Sequence, residues 1–397
     1  MTTIGAGGTV VGPRGFAGAQ RGLLLAAAGG AAAAILAAAE VRPQLGLLAL
    51  VGLGLGFALY HSAFGFTAAY RRAILQRDLS GVAAQAAMLM AATLLFAPVL
   101  AAGAVFGHPA NGAVAPVGVA MGFGAFLFGI GMQLGGGCAS GTLFTAGGGN
   151  VRMAVVLVFF CLGCWLATLD MTWWRALPSL PAVSLGKRFG FLEAAGLQAG
   201  LLAAILGALH LAGARLKRPL WGPLDARSLL YGPWPLLLGG LVLAALNWAV
   251  LLIAGHPWGV TWGFTLWAAK AAAAVGWDPA SSAYWSEPWR AGALRQSVFA
   301  DAASVMNIAI VFGAMAAAAL AAKIRPTIRI PARSLLAAVL GGLAMGYGAR
   351  LAYGCNIGAF FSGVASTSLH GWAWIVAALA GNVIGVRLRP AFGLANQ

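Results

Sequence analysis

Ten long apolar runs, at residues 21–39, 44–59, 81–106, 113–131, 151–169, 192–214, 232–254, 302–322, 334–349 and 371–386, dominate the chain. Each approaches the roughly 20 residues that carry a helix across a bilayer. Inside lipid every backbone polar group must be satisfied by the protein, which leaves helices or a closed barrel. A barrel would show segments of about ten residues alternating in polarity, and these runs do not alternate. Only 8% of the 397 residues are charged, against roughly 25% in a soluble domain, so a water-facing surface cannot be covered. The fold expected is therefore an all-α polytopic membrane protein with about ten transmembrane helices. The first run follows a polar, Gly-rich leader (residues 1–20) with no convincing signal-peptidase site, and reads as a retained helix.

The net charge of +16 does not point to nucleic acid, because the basic residues are scattered in short loops beside apolar runs, where they set topology. With Arg387 and Arg389 in the cytoplasm, threading the ten spans backwards puts sixteen of the 24 Lys and Arg on that side. They include Arg14, Arg71, Arg72, Arg152, Arg218, Lys323, Arg325 and Arg329. Six, namely Arg42, Arg175, Lys187, Arg188, Arg290 and Arg295, fall on the other side. This predicts an inner-membrane protein with both termini cytoplasmic. Loop 276–300, with Trp277, Tyr284, Trp285 and Trp289, reads as a periplasmic aromatic belt. Two cations, Lys270 and Arg350, are left at membrane depth.

The chain also repeats itself. Residues 129–144 align with 346–361, an offset of 217, with seven identities in sixteen positions: Gly129/Gly346, Gly131/Gly348, Leu134/Leu351, Gly137/Gly354, Cys138/Cys355, Gly141/Gly358 and Phe144/Phe361. A weaker pair, Phe64-Gly65-Phe66-Thr67 and Trp258-Gly259-Val260-Thr261, precedes each. The Gly-rich stretches 60–80, 132–150, 255–275 and 351–370 are too polar and too glycine-dense for lipid-facing helices. Irregular backbone at membrane depth is tolerated only where protein or a cavity surrounds it, so they read as four re-entrant helix-loop-helix segments. By the charge threading the first two enter from the cytoplasm and the last two from the periplasm. The expected architecture is two inverted, pseudo-symmetric halves, 21–190 and 232–397, joined by a helix and basic cytoplasmic loop at 191–231, an arrangement that places a transport site near the midplane.

Cys138 and Cys355 occupy equivalent points, each after a glycine (Gly137, Gly354) and three residues before another (Gly141, Gly358). A thiol offers a weak neutral donor and a polarizable sulfur, which suits a sulfur-bearing solute; the plainer alternative is two small core residues. Lys270 and Arg350 imply an anion, since intramembrane cations are costly without use; the alternatives are that Arg350 bonds backbone carbonyls and that Lys270 snorkels to an interface. Cys161 and Cys164 share a helix face but have no His or carboxylate companion in the same run, and read as packing. No cofactor is implied. A membrane-embedded thiol redox enzyme acting on a sulfur compound or quinone is the competing class.

The motif Gly135-Gly136-Gly137-Cys138-Ala139-Ser140-Gly141, together with Gly354-Cys355-Asn356-Ile357-Gly358-Ala359-Phe360-Phe361, resembles the signature of the YeeE/YedE family of bacterial sulfur-compound transporters. Gly346-Tyr347-Gly348-Ala349-Arg350 and Thr265–Lys270 extend the match. The resemblance implies thiosulfate uptake along axial thiols, with Cys138 and Cys355 as two relay members and Gly137, Gly141, Gly354, Asn356 and Gly358 around them. It also implies a TusA-like cytoplasmic sulfurtransferase as a partner. This sequence departs from the family at Gly65, where a further cysteine is usual.

Overall fold

In the computed structural model, residues 20–326 and 328–396 are described; the leader expected at 1–20, with Arg14, lies almost wholly outside them. Ten helical stretches are long and apolar enough to cross a membrane, and the chain is an all-α, multi-pass membrane protein.

Its helices are α1 (Arg21–Val41), α2 (Pro43–Ser62), α3 (Phe66–Gln76), α4 (Ser80–Ala102), α5 (Val119–Gly135), α6 (Ala139–Gly147), α7 (Val151–Leu169), α8 (Met171–Ala176) and α9 (Leu185–Phe189). They continue with α10 (Phe191–Leu211), α11 (Ala226–Tyr231), α12 (Leu236–Ala254), α13 (Thr261–Ala274), α14 (Pro288–Arg295), α15 (Ala302–Leu320), α16 (Ala332–Leu351), a π-helical turn at Asn356–Phe361, α17 (Ser362–Ala365) and α18 (Leu369–Leu388). Two short two-stranded ladders, Ala104–Val105 with His108–Pro109 and Val117–Gly118 with Ser179–Leu180, tie loops together.

Each Gly-rich stretch contains a break in helix. The chain leaves helical geometry between α2 and α3, between α5 and α6, between α12 and α13, and between α16 and the π turn. Glycine stops α5 at Gly136 (φ +87°) and α12 at Gly255 (φ +73°), both in the left-handed region that a Cβ disfavours.

Packing is reciprocal: α7 lies on α16 and α5 on α18, while α2 lies on α15 and α4 on α12. Elements from the two repeats therefore interlock. Small residues make this possible, as at membrane helix interfaces generally; a Cβ on Gly346 would collide with the Phe160 carbonyl oxygen of α7.

Basic loops gather at one face. Arg218 pairs with Asp78 at 3.0 Å, Arg77 reaches the Ala212 carbonyl, and Arg152 spans from the end of α5 (Leu134 O, 2.7 Å) to Ser334 Oγ (2.9 Å) at the start of α16. Asp78 is buried in the α3–α4 loop. Burial alone would raise its pKa, but hydrogen bonds from Ser80, Arg218 and Lys217 hold it at about 2. The opposite face carries the loop expected to hold the aromatic belt, where Arg290 bonds Glu287 at 2.6 Å and lies 3.9 Å from the Tyr284 ring centroid. At the break after α2 Trp234 N bonds the His61 carbonyl, and at that after α5 Arg152 bonds the Gly135 carbonyl. At the break after α16 Tyr353 and Arg175 line one cavity.

Candidate functional site

The two repeated cysteines have nearly the same backbone setting. Cys138 caps α6 with φ −84°, ψ −173°, and Cys355 caps the π turn with φ −96°, ψ −167°. The residue two before each is left-handed, Gly136 at φ +87° and Tyr353 at φ +62°. The first helical hydrogen bond recurs as well, Thr142 N to Cys138 O at 2.7 Å and Ala359 N to Cys355 O at 2.9 Å. Cys138 Sγ meets Ser140 Oγ at 3.5 Å, and Cys355 Sγ accepts from Ile357 N at 3.4 Å, again one repeat apart. The sequence repeat is thus a repeat of local geometry, down to a non-glycine residue forced into left-handed backbone at Tyr353.

Both thiols are buried, at 1% and 0% exposure, and share one core. Glycines leave space beside them. A Cβ on Gly141 would sit 3.4 Å from Cys138 Sγ, and one on Gly358 would find nothing nearer than the Gly259 Cα at 3.8 Å. Gly137 and Gly354 form the extended approach to each cap, and at Gly354 (φ +151°) a Cβ would press on the Ala359 amide nitrogen at 2.9 Å.

Helix starts converge on this pair. Gly65 caps α3, whose first amide, Phe66 N, lies beside the Cys138 sulfur. Helix N-termini present unpaired N–H groups and partial positive charge, so the caps at Gly65, Cys138 and Cys355 favour an anion without adding a full charge. At Gly65 itself (φ −137°) a Cβ would meet nothing closer than 3.9 Å.

The segments that carry this core also hold a set of buried polar groups with no protein partner among the described residues. Both amide atoms of Asn356, Tyr70 Oη, Thr67 Oγ1, Trp258 Nε1 and Trp374 Nε1 are in it. Asn356 and Tyr70 neighbour each other without completing a hydrogen bond. Native proteins leave few such groups, and each costs about 1–3 kcal/mol. Aromatic rings enclose the region: Phe66 meets Phe360, Phe360 stacks on Trp374, Trp374 meets Phe128, Phe128 meets Phe160, and Phe160 meets Phe264.

The two deep cations differ. Arg350 ends α16 with its Nε buried and unpartnered, and it lines a cavity of about 290 Å3 with Arg175, Tyr284, Trp174, Met121 and Tyr353. Lys270 instead donates to the carbonyls of Leu294 and Gln296, both at 2.6 Å. That is carbonyl bonding by the lysine, and it ties α13 to the end of α14. On the opposite side a narrow crevice reaches Gly65 between Arg72, Arg218 and Gln85.

One residue that sequence reasoning set aside belongs here. Cys164 of α7 is fully buried, shares the core with Cys355, and sits on a helix that packs against α16, which carries Arg350, and α13, which carries Thr265. The Cys161-x-x-Cys164 spacing was the available signal, but it could not show which of the two faces inward; Cys161 is half-buried. Tyr70, Trp258 and Trp374 were likewise missed, because nothing in an apolar run distinguishes an orphaned donor from a packed ring.

Comparison with known proteins identifies the family. The model of the family described as sulphur transport matches residues 61–384. The chain is 33% identical over 144 residues to the probable transporter YedE of Escherichia coli (strain K12), covering 35% of this chain and 34% of that protein. It thus spans about a third of the YedE relatives it matches. It is 26% identical over 274 residues to the thiosulfate transporter TsuA of Spirochaeta thermophila, covering 65% of this chain and 74% of that protein. The chain belongs to the sulphur transport family.

Proposed function

We propose that this chain takes up thiosulfate or a related sulfur-containing anion across the bacterial inner membrane, passing it between thiols on the axis of an inverted repeat. The single observation that carries the reading is the pair Cys138 and Cys355, in matching caps within one buried core whose segments also hold orphaned donors. Thiosulfate offers several oxygen acceptors to those donors and a terminal sulfur to the S–H groups. Neutral donors bind an anion weakly enough to release it, as conduction requires.

On this reading the anion enters at the cavity bearing Arg175 and Arg350, passes Cys164 and Cys355, then Cys138 and the Gly65 cap, and leaves between Arg72 and Arg218 toward the cytoplasm. Gly137, Gly141, Gly354, Gly358 and Asn356 shape the path. Lys270 serves it by anchoring α14 near the entrance. Both termini are cytoplasmic, and the four broken segments enter in opposed pairs, two from each face. The relative named as a thiosulfate transporter supports the substrate, and a TusA-like sulfurtransferase would receive it on the cytoplasmic side. Growth of a bacterium lacking sulfate and thiosulfate uptake, on thiosulfate as sole sulfur source, tests the function. Growth with this chain and none without it is the expected result; equal failure of both at verified membrane expression contradicts it.

A further inference from the structure

We propose that the basic face carries a second anion site, separate from the axis, that takes a multiply charged phosphate group. A cavity of about 410 Å3 lies where the end of α2, the turn from α6 into α7 and the α15–α16 loop meet; Tyr60, Asn150, Arg152, Lys323, Arg325 and Arg329 stand on its wall. Its size falls within the roughly 300–1,000 Å3 of small-molecule sites. No acidic residue lines it. The ion pairs among the described residues are Arg175–Glu287, Arg218–Asp78 and Arg290–Glu287, so Lys323, Arg325 and Arg329 have no ion-pair partner among those residues. Arg152 is spent on Leu134, Gly135 and Ser334 and forms the fixed floor.

A positive-inside bias explains cations in such loops, but not their collection in one concavity whose loop is pinned. Gln20 grips that loop on both sides, its Oε1 accepting from Ile324 N at 3.1 Å and its Nε2 donating to Ile324 O at 2.9 Å. Gly149 packs against the same Ile324, where a Cβ would come within 2.9 Å of its side chain. Guanidinium groups on a loop whose backbone is held at Ile324, with no carboxylate on the cavity wall, match a phosphate's geometry and charge. An occupant would brace the α6–α7 turn and the end of α2. Because Cys138 caps the start of α6 and the cavity wall takes in the turn that ends it, occupancy is placed to modulate the axis. The phosphate is either free in solution or the headgroup of an anionic lipid.

The full chain in detergent tests this with two probes, inorganic phosphate by calorimetry and lipid adducts by native mass spectrometry with phosphatidylglycerol against phosphatidylcholine. An Arg325→Gln/Arg329→Gln variant changes only exposed, unpaired side chains, and its fold is checked by its elution profile. Phosphate binding weakened at least about tenfold, roughly 1.4 kcal/mol, assigns a soluble ligand. Unchanged phosphate binding with selective loss of phosphatidylglycerol adducts assigns a lipid. Cys355→Ala leaves either signal intact. The proposal is overturned if parent and double variant match on both probes, or if Cys355→Ala removes the phosphate signal, which would put the anion on the axis.

Discussion

Asn356 offers the sharpest test of whether the orphaned donors exist for a passing ligand. It is fully buried and both its side-chain atoms lack a protein partner. Asn356→Leu keeps the number and branching of side-chain heavy atoms and removes both polar atoms. At about 1 kcal/mol for each unsatisfied buried group, the low end of the usual range, the substitution should stabilise the fold by about 2 kcal/mol. The melting temperature of the detergent-solubilised chain, followed by tryptophan fluorescence, should rise by a few degrees. Thiosulfate uptake by the same variant in proteoliposomes should fall to background, because the path loses its central amide. Stability would thus be gained where function is lost, the trade-off expected of a binding site. A variant that melts lower than the parent, or that transports at the parental rate, would refute the reasoning.

Other substitutions divide the site. Cys164→Ala should slow uptake while Cys161→Ala leaves it at the parental rate, since Cys164 is buried in the core that holds Cys355 whereas Cys161 is only half-buried at its edge; identical initial rates for the two would remove Cys164 from the path. Arg350→Met should raise the apparent KM for thiosulfate with little change in melting, whereas Lys270→Met should chiefly lower the melting temperature by freeing the Leu294 and Gln296 carbonyls; the reverse pattern would exchange their roles. The ion pair at Asp78 predicts a pH dependence of stability. Its pKa falls from 3.8 to about 2 on folding, worth about 2 kcal/mol. A depressed carboxylate stabilises fully above its unfolded value, and that contribution is lost as pH falls from about 4 through about 2. Asp78→Asn should therefore melt lower than the parent at pH 7 and match it near pH 2; an equal gap at both would contradict the assignment.

The fold was legible because lipid leaves few solutions: each of the ten apolar runs falls on one of the ten candidate spans of the described residues, three of which run on past the expected end into a Gly-rich segment, and glycine marked each break. The repeat was legible at Cys138 and Cys355 because the same caps require the same residues. It was blurred at Tyr353, where a bulky side chain takes the left-handed place that Gly136 holds. The fate of charges was less readable. Lys270 and Arg350 look alike as cations in apolar sequence, and only the folded loop after α14 supplies carbonyls to one and not the other. Cys164 was hidden for a related reason, since helical spacing gives a face but not what that face meets across α16 and α13.

The central claim is that a sulfur-containing anion moves along the axis through Cys138 and Cys355. Its most direct test is uptake of radiolabelled thiosulfate into proteoliposomes holding the parent chain, Cys138→Ala or Cys355→Ala, at equal reconstituted protein. The account predicts uptake above protein-free vesicles for the parent and background for both variants, with excess unlabelled thiosulfate suppressing the parental signal. Parental uptake by both cysteine variants would contradict it.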